Sequence, residues 1–78
     1  MFTLHNMTKE FTATHRWKQY PGIEFEVNYE TNKIRAKGKN DSTSTQWKPI
    51  RVDMNGIKYC TIQRERIYWW DLELITNN

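Results

Sequence analysis

Lys33, Arg35, Lys37 and Lys39 occupy every second position of one stretch, separated by Ile34, Ala36 and Gly38. On extended backbone, alternate side chains point to the same side. These four cations would then form a line suited to following a phosphate backbone. Lys48 and Arg51 prolong the basic stretch, so residues 33–51 hold six of the 12 lysines and arginines but one of the 9 acids. Trp47 and Trp69 add flat rings on which bases could stack. A second reading comes from just upstream, where Glu24 and Glu26 alternate with Ile23, Phe25 and Val27. If the two stretches pair as a hairpin, acids face bases, and each opposite-charge pair contributes about 0.2–1 kcal/mol.

Other chemistry is poorly supplied. His5, His15 and Cys60 include no pair at zinc spacing, so neither a metal nor a cofactor is expected, and both histidines read as surface residues. Gly22, Gly38 and Gly56 are too scattered for a phosphate-cradling loop. Glu24 and Glu26 share one strand face without a cleft and read as solvated charge. The expectation is a protein that is not an enzyme. A lone cysteine points to a reducing compartment with Cys60 as a small buried hydrophobe. The leading MFTLHNMTKEF has no apolar run of signal-peptide length and nothing reaches membrane-spanning length, so a cytoplasmic protein without a membrane partner is expected.

The elements that must position the cations follow from periodicity. A chain of 78 residues forms one domain, and its four tryptophans, four tyrosines and three phenylalanines allow a small core built from a few large side chains. The pattern predicts a mainly β fold, or α+β with one short helix: a small twisted antiparallel sheet of about four to five strands built from hairpins. Residues 1–16 read as an N-terminal arm or outer strand, and residues 17–78 as a single small β-rich domain. Tyr20-Pro21-Gly22 marks a turn before one strand, and the run Asn28 to Asn32 turns into the basic one. Gly38 to Thr45 is polar and predicts an exposed, mobile loop. Pro49 predicts an edge strand between Trp47 and Val52. Asn55-Gly56 predicts a type I′ hairpin turn leading into a strand over Ile57–Gln63. Arg64-Glu65-Arg66 is a polar connection, and Ile67–Ile75 a last strand, with a short helical turn near Asp71 as the alternative. On a strand Trp69 and Trp70 point to opposite sides, one into the core and one outward.

In order along the chain, Trp17-Lys18, Pro21-Gly22, Glu26-Val27-Asn28, Ile34-Arg35-Ala36, Trp47-Lys48-Pro49, Asn55-Gly56, Tyr59 and Tyr68 to Leu72 form a recurring pattern. It resembles the nuclease-associated modular DNA-binding domain found N-terminal in phage HNH homing endonucleases. The resemblance implies a small β-rich module working near DNA, with Arg35 and Lys48 at positions that match the family's motif. It does not imply cleavage, because the HNH catalytic region lies downstream of the module in those enzymes. Trp70-Asp71 stands where the family has His-Arg, an aromatic and an acid in place of a basic pair.

Two main functions are open at this point. One is a small non-catalytic phage-type module that binds nucleic acid, DNA favoured, through Lys33, Arg35, Lys37, Lys39, Lys48 and Arg51, with Trp47 or Trp69 stacking on bases. The alternative is a phage-encoded protein that binds and inhibits a host protein through an aromatic-rich surface. A structural subunit using the same surface for self-assembly is a third reading.

Overall fold

The structure, a computed structural model, describes residues 12–77. Ala13, His15, Phe25, Val27, Ile34 and Ala36 alternate with polar neighbours, and this period of two builds the central strands. The strands are β1 (Thr12–Trp17), β2 (Tyr20–Asn28), β3 (Lys33–Ala36), β4 (Lys48–Pro49), β5 (Arg51–Val52), β6 (Lys58–Ile62), β7 (Glu65–Tyr68) and β8 (Leu72–Asn77). One 3-10 turn, Trp69–Asp71, separates β7 from β8. A five-stranded antiparallel sheet has the order β4-β3-β2-β1-β8, and a three-stranded one the order β5-β6-β7. The fold is thus mainly β and rich in hairpins, as the periodicity predicts. Where one sheet was expected there are two.

The chain changes sheet just after Pro49. Lacking an N–H, Pro49 suits the edge strand β4, and partly buried Ile50 then packs against the core as the chain passes into β5 of the other sheet. The core joins Phe25, Val27 and Ile34 of the larger sheet to Cys60, Ile62 and Ile67 of the smaller, with Leu72 completing it. Trp17, Ala36, Ile50 and Trp69 pack around this cluster.

Residues 12–16 depart from the expected outer strand or arm. The division expected between residues 16 and 17 falls inside β1, which lies between β2 and β8 with Ala13, Thr14 and His15 buried. Its threonines suit a strand paired on both sides as well as an outer one, since β-branching favours the pleat in either place. Residues 1–11 of the expected arm lie outside the described residues. At the other end, the strand and the helical turn weighed for Ile67–Ile75 are both present, in succession. Among the described residues no helix is long and apolar enough to cross a membrane.

Candidate nucleic-acid interface

The ladder between β2 and β3 pairs Glu26 with Arg35 and Asn28 with Lys33, on the face opposite Val27 and Ile34. Arg35 is fully engaged there. Its Nε donates to Glu26 Oε1 at 2.8 Å, Nη2 lies 2.7 Å from the same oxygen as an ion pair and donates to Asp41 Oδ1 at 3.0 Å, and the guanidinium lies 4.7 Å from the Trp47 ring centroid. Burial alone would lower the Arg35 pKa, but hydrogen bonds and charge from Asp41 and Glu26 raise it on balance. With its side chain 15% exposed, Arg35 belongs to an internal ion-pair network.

The other cations do not complete a line. β3 ends at Ala36 because the following loop folds back: Thr45 N donates to Ala36 O at 3.0 Å, and Ala36 N to Thr45 Oγ1 at 2.8 Å. Lys37 Nζ sits 4.0 Å from Glu24 Oε1, while Lys39 is exposed beyond the strand. Lys33 is exposed at the start of β3, Lys48 is partly buried opposite Ile34, and Arg51 is exposed on the other sheet. The predicted basic row therefore divides into an Arg35–Glu26–Asp41 network and separate lysines. Trp47 is half-buried under Arg35. Trp69 is partly buried against His15 (centroids 5.2 Å apart) and Tyr29 (6.3 Å), with Lys58 Nζ 5.8 Å from its ring. Of the neighbouring tryptophans it is Trp70, 58% exposed, that faces outward.

Under Trp69, His15 is a buried histidine rather than a surface one. Its Nε2 meets the Tyr29 hydroxyl at 3.0 Å, and Nδ1 has no hydrogen-bond partner among the described residues. Burial lowers the His15 pKa, opposed by the nearby Ala13 backbone. Burial raises the Tyr29 pKa.

The smaller sheet carries an aromatic surface in which Trp70 is exposed and Tyr59 and Tyr68 are half-buried. Cys60, Ile62 and Ile67 point inward, so Arg51, Tyr59, Thr61, Arg66 and Tyr68 share its outer face, with Arg51 opposite Tyr59 and Tyr59 opposite Tyr68. Tyr59 and Tyr68 rings are 6.0 Å apart, and Trp70 stacks on Tyr68 at 5.1 Å and 18°. The Arg66 guanidinium lies 4.4 Å from the Tyr59 centroid, and its Nη1 donates to the Tyr68 hydroxyl at 3.3 Å, a contact that raises the Arg66 pKa. Sequence reasoning missed this group. Its signal was the alternation of Tyr59 and Thr61 with Cys60 and Ile62, followed by Arg66 and Tyr68 around Ile67.

Between the β1–β2 and β6–β7 hairpins opens a cleft of about 380 Å³, lined in part by Trp17, Tyr20, Phe25, Ile62, Gln63 and Glu65. Tyr20 and Ile23 leave its rim exposed. Among the described residues no three His, Cys, Asp or Glu side chains gather as a metal site. Cys60 is buried, and burial pushes its thiol up to about 11.

No family model matches the chain, and no curated protein or solved structure does either.

Proposed function

We propose that the protein is a small non-catalytic module that holds single-stranded nucleic acid on the outer face of β5, β6 and β7. The observation that carries this reading is the Tyr59–Tyr68–Trp70 surface flanked by Arg51 and Arg66. Bases present π-faces once unpaired, and each base stacked on an aromatic side chain contributes about 1–3 kcal/mol. Arginines beside such a surface supply phosphate contacts. A duplex hides those π-faces, so the platform favours single strands. The resemblance to phage DNA-binding modules supports DNA, although Arg35, one of its matching residues, is engaged within the protein.

A second reading, a host-protein partner bound and inhibited through the same aromatics, is favoured by Val52 and the fully exposed Met54 beside this sheet. Fluorescence anisotropy with labelled single- and double-stranded oligonucleotides at low salt separates the two. Single strands should bind more tightly than duplex, and Trp70→Ala should weaken them about tenfold, as loss of one stacked base implies. Absence of single-strand binding at low salt, or an unchanged affinity in Trp70→Ala, would refute the platform and leave the protein-partner reading.

A further inference from the structure

His15 lies on a strand paired on both sides, opposite Phe25 of β2 and Leu74 of β8. Its ring is closed in, with the residue only 4% exposed. Nε2 meets the Tyr29 hydroxyl at 3.0 Å, and Nδ1 is sealed from solvent with no partner among the described residues. The Trp69 ring covers the imidazole at 5.2 Å and 55°, and Tyr29 stands edge-on to both rings, at 6.1 and 6.3 Å.

A neutral imidazole suits this place, because Nε2–H can donate to the Tyr29 oxygen and only a lone pair is left at Nδ1. An imidazolium does not. Both nitrogens are then donors, and Nδ1–H would carry charge in a sealed site without an acceptor, the costly case of a buried, unpaired ion. The groups around it offer no compensation. The turn after β2 contributes the Tyr29 hydroxyl, and β6 contributes Lys58, a second cation, with Nζ 5.8 Å from the Trp69 centroid. Glu24 and Glu26 of β2 and Glu73 of β8 pair with Arg16 and Thr14, one position to either side, and so lie on the opposite face of the sheet. Asp71 follows two residues after Trp69, and its carbonyl accepts from Lys18 N at 2.8 Å. Among the described residues no carboxylate forms an ion pair with His15.

Charging the ring therefore requires one wall to open and admit water. β1 is held by strands on both sides. Tyr29 is flanked by Asn28, whose Oδ1 accepts from Glu30 N and Thr31 N at 3.0 and 3.1 Å, and its hydroxyl can still accept from a charged ring. Trp69 opens a 3-10 turn of three residues that has no side-chain cap, which makes it the least fastened wall. The next residue is Trp70, stacked on Tyr68 at 5.1 Å and 18°. A turn that lifts Trp69 pulls Trp70 from that stack.

We propose that His15 is a proton switch: charging its ring lifts the Trp69–Asp71 turn and withdraws Trp70 from the aromatic surface of the smaller sheet. That acid then releases a bound strand rests on the platform reading. Burial lowers the His15 pKa, so the closed turn and the neutral ring go together, as in other histidine switches.

Two measurements test the switch. In the first, the histidine ring resonances, assigned with His5→Gln, and the tryptophan indole resonances, assigned with single Trp→Phe variants, are followed in the parent protein from about pH 7 to about pH 5. The Trp69 and Trp70 resonances should move with the His15 midpoint, and that of Trp47, under Arg35, should stay in place. In the second, anisotropy with a labelled dT tract, whose bases and phosphodiesters keep their charge over this range, should show binding about tenfold weaker at the acid end. His15→Gln should cut that change to about twofold or less, and His5→Gln should leave it intact. The first measurement decides even where His15→Gln does not fold. A His15 ring that stays neutral throughout, a Trp70 resonance that ignores its midpoint, or all four indoles shifting together as the whole fold opens overturns the switch. If Trp70 follows His15 while no dT tract binds at either pH, the switch stands and the platform reading falls. If dT tracts bind through Trp70 equally well at both and its resonance stays fixed, the platform stands and the switch falls.

Discussion

His15 and Cys60 limit the fold from opposite ends of the pH scale. Burial lowers the His15 pKa from 6.5, so the native state keeps the ring neutral where the unfolded chain takes up a proton. Stability from this residue is present above about pH 6.5 and is lost as pH falls through the lowered native value. Urea midpoints should fall between pH 7 and pH 5, and His15→Gln should flatten that dependence. Cys60 works in the other direction: with its pKa raised from 9.0 to about 11, its contribution holds below pH 9 and disappears as pH rises through about 11. A loss of about 2–3 kcal/mol across that window is expected. Cys60→Val should remove most of this loss, leaving a smaller share of the same sign from Tyr29, whose pKa burial also raises. Cys60 was legible in the sequence as a small apolar residue in an alternating strand. His15 was not, because nothing local to Thr12–Trp17 reveals that Trp69 and Tyr29 will close over it.

Turns and loops decide which residues face outward, and they differ in how openly they are written. Asn55-Gly56 does form a hairpin turn, but only Gly56 has positive φ (80°), where type I′ needs it at both positions. Gly56 N donates to Asp53 O at 3.0 Å, Asp53 N to Ile57 O at 3.0 Å, and Asp53 Oδ1 accepts from Asn55 N and Ile57 N, which makes a type I turn closed by a glycine bulge. The two-residue turn with positive φ at both positions is Gln63-Arg64 (52° and 69°), which lacks the usual asparagine or glycine and so reads as plain polar connection. The 38–45 loop is exposed, yet it folds around Asn40, whose carbonyl accepts from Thr43 N, Ser44 N and Ser44 Oγ. Polar composition signals exposure but not such self-bonding. Gly22, Gly38 and Gly56 test these devices in one series. Gly56→Val should cost about 1–3 kcal/mol from backbone strain alone, since a side chain there meets nothing within 4 Å. Gly38→Ala should cost about 1–3 kcal/mol for a different reason, because its Cβ would fall 2.6 Å from the Thr43 carbonyl oxygen and displace the loop that carries Asp41 to Arg35. Gly22→Ala, with open space and no positive φ, should stay within about 0.5 kcal/mol. Equal urea midpoints across the three variants would contradict this ordering.

Across the whole molecule, the sign of a charge mattered less than the register in which it is held. The sequence shows a basic stretch over residues 33–51, and pairing against Glu24 and Glu26 removes Arg35 and largely Lys37 from any line of phosphate contacts. Half of that outcome was legible, since alternating acids and bases imply cross-strand pairing. The transfer to a second sheet at Pro49-Ile50 was not, because a change of sheet depends on contacts between residues far apart in the chain. The salt dependence of binding separates the two surfaces. If six basic-stretch cations contacted a single strand, log K would fall against log[salt] with a slope of about −4, at about −0.7 per contact. The platform offers Arg51 and Arg66 for phosphates and draws most of its affinity from stacking, so a slope of about −1 to −2 is expected. Arg51→Gln and Arg66→Gln should each reduce its magnitude by about 0.7, and Trp70→Ala should weaken binding with the slope unchanged, because stacking releases few ions. Lys33→Gln with Lys39→Gln should leave both affinity and slope nearly as they were. A slope near −4 that collapses in the lysine variants would return the interface to the larger sheet and assign Tyr59, Tyr68 and Trp70 to another partner.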